Sequence, residues 1–411
     1  MTTQKVAITG MGLVLPGSPT PAALWDNFTN GSPMISAVNV PGFDKTVPAG
    51  RIGQLPAEEF TALIPEKYFN RYPLDIRFYL ASCVRALDHA ALDLHTCTAE
   101  RIGVFDGTSR GSFSYWTERL QQQKTADLPV FGVPEFMFGT PGQAASIAAS
   151  LFRIEGPVNT ISTTCTSGAV AIGQAFREIA SGNIDIALAS GHEAPINPVI
   201  LQTYEGAGLI SFGQPTAAAG EQAVAGFSGV ILGEGAVTLV LENLDHARQR
   251  GATILGLIAG YEHGNMGQHP THVDPTGDRA ARLIRRLLEN TGISAGRIRA
   301  VFGHGNGREA SDTSEKYYME KVFGRRDPMP PLYSLKPIFG HVIGASGAIN
   351  VATAVLLVSR KFKAARPPPP LVELSMRKET APISDIKAGD CVLAVAYGVG
   401  GHCTAMLVCS A

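Results

Sequence analysis

Short apolar strands alternate with helical segments along most of this chain, and this alternation limits the fold more than any single motif. Strand-like runs in the first half lie at 5–12, 101–105, 159–164, 184–190 and 236–242. Helical patterns lie between them at 75–93 and 166–181. Strands that alternate with helices form parallel sheets covered by helices on both faces. The pattern therefore predicts an α/β protein whose first strand ends in a Gly turn at Gly10 and Gly12.

The second half repeats a similar order of elements. Its strand-like runs are 253–260, 300–304, 391–398 and 404–409, and its helical runs are 278–292 and 345–360. We expect an internal duplication that divides near residue 250. Residues 1–250 would then form an N-terminal half and residues 251–411 a C-terminal half.

Composition excludes several classes of protein. The 411 residues are 45% hydrophobic and 17% charged, which is too apolar for a disordered chain. The net charge is −1 and basic residues form no block, so the sequence does not indicate nucleic-acid binding. No signal peptide and no membrane span are expected. The six cysteines form no Cys-x-x-Cys pair, which predicts free thiols in a reducing, cytoplasmic setting.

Cys165 is the first candidate for chemistry. It follows a strand and opens a helix of small and apolar residues, and a helix that is apolar all round is a buried one. The positive end of such a helix favours a thiolate and could bind an oxyanion. The alternative is a cysteine packed in a tight turn.

Two histidines lie in Gly-rich turns after strands. His304 follows the strand at 300–304, and Glu315 lies at the start of the helix after it. His341 precedes the small-residue helix at 345–360, and Lys336 could approach Glu315. Sheets of α/β proteins place catalytic residues at such carboxyl ends of strands. The alternative for each histidine is a structural role.

Other motifs carry weaker signals. His269 and His272 could ligate a metal, but neighbouring prolines favour a loop, and we expect no metal. Gly10 and Gly12 suggest a dinucleotide turn, but Leu15 stands where the third glycine belongs. No Gly-x-Ser-x-Gly elbow offers a serine nucleophile.

Taken together, the motifs resemble those of the β-ketoacyl-acyl-carrier-protein synthases, condensing enzymes with the thiolase fold. The resemblance covers nearly the whole chain and is closest to the synthase II class. It is carried by the motifs 25–31, 164–168, 233–236, 304–307, 336–341 and 398–401. It implies two duplicated halves in a five-layered αβαβα arrangement.

The resemblance also implies a role for each site residue. Cys165 would accept the acyl group, and His304 and His341 would support decarboxylation of malonyl-acyl-carrier protein and the Claisen condensation that follows. The backbone N–H groups of Cys165 and Val399 would form the oxyanion hole. Lys336 and Glu315 would order the site. No cofactor is implied.

The sequence departs from the family pattern around the acyl pocket. Val399 stands where the family usually has a gating Phe, and the usual Pro-Phe-Asp segment is missing from 216–227. Arg110 falls near a position that is apolar in housekeeping enzymes, where its charge would shorten or polarise the pocket or be neutralised by a partner subunit. We therefore assign Arg110, Tyr397 and Val399 to the acyl pocket and its gate. These departures favour a specialised polyketide or fatty-acid-like pathway; the alternative is a housekeeping elongation synthase.

The implied partners are an acyl carrier protein, malonyl and acyl thioesters, and a second subunit. That subunit would give a homodimer, or a heterodimer with a chain-length-factor-like protein. The aromatic segment 110–140, which lacks a clear period, is the candidate contact, through Phe113, Tyr115, Trp116, Phe131 and Phe136. A basic patch for the acidic carrier could include Lys67, Arg71, Arg77 and Arg85.

Two rival functions stay open at this point. A thiolase shares the fold but needs a second catalytic Cys before the terminal glycines, whereas Cys403 follows them and Cys391 lies far upstream. A partner subunit without activity of its own is the other alternative.

Overall fold

A computed structural model of the chain describes residues 4–52, 55, 71–121, 132–212, 229–269, 271, 273–324, 329–359 and 386–411. Lys67, Phe131, His272 and the segment 216–227 lie outside these ranges.

The strands of the first half are β1 (Val6–Val14), β2 (Ser36–Asn39), β3 (Thr46–Gly50), β4 (Ile102–Gly107), β5 (Val158–Ile161), β6 (Ile186–Glu193), β7 (Leu232–Gly233) and β8 (Gly235–Asn243). Those of the second half are β9 (Gly256–Asn265), β10 (Ile298–Phe302), β11 (Leu332–Tyr333), β12 (Cys391–Gly398) and β13 (His402–Cys409).

The helices of the first half are α1 (Pro21–Asn30), α2 (Leu74–Ala90), α3 (Phe113–Gln121), α4 (Val133–Phe138), α5 (Gln143–Phe152), α6 (Ser167–Ala180), α7 (Pro198–Gly206) and α8 (Leu244–Gln249). Those of the second half are α9 (Asp278–Thr291), α10 (Glu309–Phe323), α11 (Lys336–Phe339) and α12 (Ser346–Val358).

The two halves of the main sheet have the same strand order. Its ten strands run β11-β10-β12-β13-β9-β1-β8-β6-β4-β5. In the first half, β4 pairs in parallel with β5 and β6, and β8 is antiparallel to β6 and β1. In the second half, β10 pairs in parallel with β11 and β12, and β13 is antiparallel to β12 and β9. A short antiparallel pairing of β1 with β9 joins the halves.

Helices cover both faces of both halves and give five layers. Helices α6 and α12 contribute to one buried cluster with side chains from both halves of the sheet. Helices α2 and α5 pack on the outer face of the first half. Helices α9 and α10 pack on the outer face of the second half. The expected αβαβα arrangement is therefore confirmed.

The small residues of α6 and α12 let the two central helices approach closely. Every residue of α12 is buried. A Cβ atom at Gly347 of α12 would lie 2.7 Å from the Cβ of Ala169 in α6, closer than real Cβ atoms approach. A larger side chain at Gly347 would force the helices apart, and with them the residues at their N-termini.

The first strand differs from the sequence expectation. Gly10 and Gly12 lie inside β1, which runs on to Val14, so the predicted Gly turn is wrong. A Cβ at either position would collide with the backbone of α2, near Ala86. The glycines therefore allow a helix to pack on the strand, and they form no dinucleotide turn.

Helices α3 and α4 lie in the described part of the segment 110–140, although the apolar residues of this segment show no clear periodicity in the sequence. The indole N–H of Trp116 donates to the Gly139 carbonyl at 3.0 Å and ties α3 to the end of α4. Outward-facing apolar side chains remain on these helices: Phe113, Leu120, Val133 and Phe136.

The expectation of six free thiols is wrong. Cys391 and Cys409 form a disulfide, whereas Cys83, Cys97, Cys165 and Cys403 are free. The two cysteines are directly opposite each other on the antiparallel strands β12 and β13. Directly opposite residues bring their Cβ atoms close, and the sequence spacing of 18 residues does not reveal this register.

A small second sheet, β2-β3-β7, lies beside the site described below. Among the helices of the described ranges, none combines the length and apolarity that crossing a membrane requires.

Candidate active site

Cys165 lies between β5 and α6, in a single 3-10 turn at Thr164–Thr166. Thr164 adopts φ 54°, a left-handed conformation that is strained for a β-branched residue. Its hydroxyl donates to the Val399 carbonyl at 2.9 Å, which holds the turn in place. The turn presents Cys165, with 7% of its surface exposed, at the N-terminus of a buried helix.

His341 is held against Cys165 by the backbone of β7. Its N–H donates to the Ile231 carbonyl at 2.6 Å, and its carbonyl accepts from the Gly233 N–H at 3.0 Å. Its Nε2 lies 3.1 Å from the Cys165 Sγ. Its Nδ1 lies 2.8 Å from the hydroxyl of Ser346, at the start of α12. The Gly-Glu-Gly motif at 233–235 therefore helps to fix the orientation of this imidazole.

His304 follows β10, and its ring lies nearly perpendicular to that of His341, with 5.5 Å between centroids. The carboxylate of Glu315 accepts from the backbone N–H groups of His304 and Gly305, each at 2.6 Å. The Lys336 ammonium donates to the His304 carbonyl, and its Nζ lies 3.5 Å from the His304 Nδ1. Glu315 and Lys336 thus fix the backbone of His304 at its N–H group and at its carbonyl group.

Burial determines the protonation of the three central side chains. Burial raises the pKa of Cys165 to about 11, although the Lys336 charge opposes the shift. Burial also holds the pKa of His304 and of His341 well below 6.5, and Lys336 lowers both further. The helix N-terminus was expected to favour the thiolate, and burial acts in the opposite direction by raising the pKa of the thiol. Since both imidazoles are neutral, His341 can accept the Cys165 proton during an attack.

Glu315 and Lys336 affect each other's pKa but form no ion pair with each other. Burial raises the pKa of Glu315 to about 7, against the effect of its backbone N–H partners. Burial lowers the pKa of Lys336 to about 8, while the Glu315 charge raises it. The Glu315 carboxyl and the Lys336 amine can therefore each gain or lose a proton near neutral pH.

Val399 follows β12, and its backbone N–H lies near enough to the Cys165 sulfur to lower the pKa of that thiol. Its side chain is 47% exposed. Tyr397 is buried behind His304: its backbone N–H donates to the His304 Nδ1 at 3.4 Å, and its hydroxyl lies 3.2 Å from the Ser314 hydroxyl. The Tyr397 side chain therefore lies in the hydrophobic core on the outer face of the second half of the sheet, and it packs behind His304.

Arg110 lies in the loop after β4, where the buried carboxylate of Glu193 organises the backbone. Glu193 accepts from the N–H groups of Ser109 at 2.8 Å, Arg110 at 3.0 Å and Gly344 at 3.1 Å. The Arg110 side chain is exposed, and its charge lowers the pKa of Cys165 and of the Tyr204 hydroxyl. Arg110 is thus close enough to act on the space beside the thiol.

The sequence reasoning missed three residues of this site. Glu193 ends β6, and a carboxylate at the carboxyl end of a parallel strand was a signal that could have been read. Ser346 orients His341, and Asn306 has its amide nitrogen 3.2 Å from the His304 Nε2. Both hydroxyl and amide residues are common in turns, so their type alone carries no such signal.

The proposed basic patch is only partly available for docking. Arg71 is exposed, but the Arg85 guanidinium donates to the Leu13 carbonyl at 2.7 Å and is tied to β1. Arg77 is half-buried, and burial lowers the pKa of its guanidinium.

The other cysteines lie apart from this chemistry. Cys403 is buried in the outer core of the second half, where burial raises its pKa to about 12. Cys391 is bonded to Cys409. Neither supplies the second thiol that a thiolase would need beside Cys165.

The chain matches two adjoining family models. Residues 3–247 match the Beta-ketoacyl synthase, N-terminal domain, and residues 255–366 match the Beta-ketoacyl synthase, C-terminal domain. The "Putative polyketide beta-ketoacyl synthase 1" of Streptomyces cyaneus is 31% identical, over 99% of this chain and 98% of its own length. The "3-oxoacyl-[acyl-carrier-protein] synthase 2" of Staphylococcus aureus strain COL is 26% identical, over 97% of this chain and 96% of its own length.

Two solved structures of ketosynthases have the same fold as this chain. The ketosynthase in a type II PKS complex with its acyl-carrier protein, bound to the hexaketide, covers 100% of both chains with a TM-score of 0.84 and 25% identity. The ishigamide ketosynthase/chain length factor shares the fold, with a TM-score of 0.82 and 21% identity over 100% of both chains. The chain therefore belongs to the β-ketoacyl synthase family of condensing enzymes.

Proposed function

We propose that Cys165 holds the acyl group in this condensing reaction and that His304 and His341 activate the malonyl thioester. The observation that carries this assignment is the 3.1 Å approach of the His341 Nε2 to the Cys165 Sγ, with the His304 ring 5.5 Å from that of His341. One thiol and two neutral imidazoles thereby face a common space. Thiolates are suited to exchange with thioesters.

In the loading step, the Cys165 sulfur attacks the carbonyl carbon of an acyl thioester. The thiol proton passes to the His341 Nε2 as the new C–S bond forms. The bond to the carrier thiol then breaks, and that sulfur leaves with the proton. The N–H groups of Cys165 and Val399 stabilise the tetrahedral oxyanion. This role for Val399 is supported by the closeness of its N–H to the Cys165 sulfur.

In the condensing step, the malonyl group loses carbon dioxide. The electron pair of the broken C–C bond becomes an enolate at the thioester carbonyl, where an N–H of His304 stabilises its oxygen. His341 donates to the same oxygen when its Nε2 carries a proton. The carbanion attacks the acyl carbonyl on Cys165, and the C–S bond breaks to return the thiolate. Because both partners are held side by side, proximity supplies much of the rate.

Glu315 and Lys336 act as positioning residues in this scheme. Glu315 accepts from the His304 N–H, and Lys336 donates to the His304 carbonyl. Both contacts are with the backbone of His304, so they fix the position of the residue without occupying the Nε2 of its ring.

We also propose that the chain serves a specialised polyketide or fatty-acid-like pathway. Arg110 beside the thiol and the small Val399 at the usual gate both alter the acyl pocket. The 31% identity to a protein named as a polyketide beta-ketoacyl synthase is consistent with this. Housekeeping elongation of fatty acids is the alternative, and the 26% identity to a 3-oxoacyl synthase keeps it open.

The partners proposed are an acyl carrier protein that delivers both thioesters, and a second chain of the same fold. The second chain would give a homodimer, or a heterodimer with a chain-length-factor-like subunit. Strand β5 ends the main sheet, and Val158 on it is 38% exposed. Phe136 is 79% exposed. A strand that ends the sheet of the described residues and exposed apolar side chains are suited to a subunit contact.

The proposed division into halves at 1–250 and 251–411 is supported by the matched strand order and by the family models, which meet between residues 247 and 255. The nucleophile would belong to the first half and the two histidines to the second.

Intact-protein mass spectrometry tests the assignment of Cys165. The full chain is mixed with acyl-carrier proteins that bear different acyl groups, in parallel with Cys165→Ala. We expect a gain of one acyl group that is absent from the variant, and Cys403→Ala is the matched control that should load normally. Loading of Cys165→Ala at the rate of the unchanged protein would refute the assignment.

A further inference from the structure

Two donors fix the position of the proton on the His304 ring. The backbone N–H of Tyr397 donates to the His304 Nδ1 at 3.4 Å, and the Lys336 ammonium lies 3.5 Å from the same nitrogen. A backbone N–H and an ammonium can only donate, so Nδ1 must be the nitrogen that accepts. In a neutral imidazole the proton then lies on the other nitrogen, Nε2.

A backbone donor also sets the orientation of the Asn306 side chain. The N–H of Arg308 donates to the Asn306 Oδ1 at 3.2 Å, in a turn that Asn side chains commonly make with the residue two positions later. The other end of the amide, Nδ2, lies 3.2 Å from the His304 Nε2. An exchange of Oδ1 and Nδ2 would set an NH2 group against the Arg308 N–H, so the NH2 group faces the ring.

Two N–H donors therefore meet beside the His304 ring, and neither can accept from the other. An oxygen about 2.9 Å from each nitrogen would accept from both, and a negatively charged oxygen would do so most strongly. His304 is 3% exposed and Asn306 is half-buried, so water screens such an interaction only in part. The two donors are thus arranged for an oxyanion before any substrate binds.

The imidazole of His341 is engaged differently. Its Nε2 lies 3.1 Å from the Cys165 Sγ, where it takes the thiol proton in the proposed loading step. Its Nδ1 lies 2.8 Å from the Ser346 hydroxyl, which can donate or accept and so fits either tautomer. A donor to the malonyl oxygen that does not depend on the protonation of His341 is therefore found at Asn306.

We propose that Asn306 is a further catalytic residue of the condensing step, in which its Nδ2 and the His304 Nε2 both donate to the thioester oxygen of the malonyl group. The inference rests on the proposed function, since it concerns the same decarboxylation. As the bond to the carboxylate breaks, carbon dioxide leaves and the electron pair forms the enolate, so negative charge grows on this oxygen. Donors that are already in place stabilise that charge without first reorienting.

The charge disappears again when the enolate carbon attacks the acyl group on Cys165, because the electron pair forms the new C–C bond and the thioester carbonyl is restored. Loading of Cys165 involves no enolate. Asn306 should therefore affect condensation and leave acylation unchanged.

Two substitutions separate this role from a purely structural one. Asn306→Asp keeps an oxygen for the Arg308 N–H and nearly the same shape, but it places a carboxylate oxygen where the NH2 group faced His304. Asn306→Ala loses both contacts. If the side chain only shaped the turn, Asn306→Asp would be the more active variant, whereas loss of the Nδ2 donor makes it the less active one. Asn290→Asp, which makes the same change on the exposed side of α9, is the matched control.

The measurement is a single turnover of the full chain, followed in two parts by mass spectrometry. Cys165 is first loaded with the acyl group that reacts fastest, and the acylated protein is then mixed with a saturating amount of malonyl-acyl-carrier protein. We expect every variant to load Cys165 at the normal rate. Condensation should be about 10²-fold slower in Asn306→Ala, as for the loss of one oxyanion donor, slower still in Asn306→Asp, and normal in Asn290→Asp.

Condensation by Asn306→Ala at the rate of the unchanged protein, or faster condensation by Asn306→Asp than by Asn306→Ala, would overturn the inference and leave the proposed function intact. Equal losses of acylation and condensation in both variants would also overturn it, because they would indicate general damage to the site. Failure of the unchanged protein to be acylated or to condense would contradict the proposed function itself, and the inference with it.

Discussion

The Nε2 of His341 lies 3.1 Å from the Sγ of Cys165, and the two residues occupy corresponding positions in the two halves of the protein. Cys165 follows β5 and precedes α6, and His341 follows β11 and precedes α12. Both strands end their side of the sheet. Because α6 and α12 pack together between the halves, the fold itself brings thiol and imidazole into contact.

This contact predicts that the two histidines act at different steps. His341→Ala should slow acylation of Cys165, because it removes the group that takes the thiol proton, by about 10²-fold or more. His304→Ala should leave acylation within about tenfold of normal yet reduce condensation by about 10²-fold or more. Stopped-flow acylation and single-turnover condensation measure the two steps separately.

The matched control for these variants is His402→Ala, since His402 stacks on His263 and lies outside the contacts of the thiol. If His341→Ala and His304→Ala slowed acylation equally, the division of roles would be wrong.

Glu193 is predicted to be required for the loop beside the thiol. Each carboxylate oxygen accepts from a backbone N–H, so the NH2 group of a Gln would face an N–H donor and leave it unpaired. Glu193→Gln should therefore lower the free energy of unfolding by about 1–3 kcal/mol and slow acylation. Urea denaturation measures the first effect and mass spectrometry the second. The exposed Glu289→Gln should change neither, and a Glu193→Gln protein as stable and as active as the original would refute this role.

Glu234 is predicted to make stability depend on pH. Burial raises the pKa of Glu234 to about 7, and its Oε1 accepts from the Ile52 N–H at 2.8 Å. A carboxyl group whose folded pKa is raised binds its proton more tightly in the folded state, so it favours folding below the unfolded pKa, and this advantage is lost as pH rises to about 7.

The comparison with Glu234→Gln isolates this group, because the amide can still accept from Ile52 but does not titrate. The free energy of unfolding of the unchanged protein, relative to the variant, should fall between about pH 4.5 and pH 7 by no more than about 3 kcal/mol, and stay constant above about pH 8. A difference that is the same at all pH values would contradict the raised pKa.

If Cys391 and Cys409 form a disulfide, the number of thiols that react in denatured protein should rise on reduction. Denatured protein without reductant should show four thiols, and reduced protein should show six. Cys391→Ser should lower the free energy of unfolding by about 3 kcal/mol, from the loop that the bond closes in the unfolded chain. A count of six before reduction would show that β12 and β13 carry free thiols.

The sequence predicted the parts of this site that local motifs encode. Cys165, His304 and His341 each lie in a short Gly- or small-residue turn after a strand, and the matched order of the halves is visible as repeated alternation. Their meeting point was predictable because parallel strands end at a common edge.

The remaining features depend on contacts between distant segments. Glu193 binds a loop more than 80 residues away in the chain, and its role appears only once β4 and β6 pair. Burial raises the pKa of Cys165, and the burial of this thiol depends on how the halves pack. The disulfide likewise needs the register of β12 against β13.

The most direct measurement of the central claim is a single-turnover condensation. Cys165 is acylated, freed of excess donor, and mixed with malonyl-acyl-carrier protein, and the carrier is analysed by mass spectrometry. The account predicts that the acyl group leaves the enzyme and appears on the carrier as a β-ketoacyl group lengthened by two carbons, with loss of carbon dioxide, and that Cys165→Ala gives no product. Release of the acyl group without a β-ketoacyl carrier, or equal product from Cys165→Ala, would contradict it.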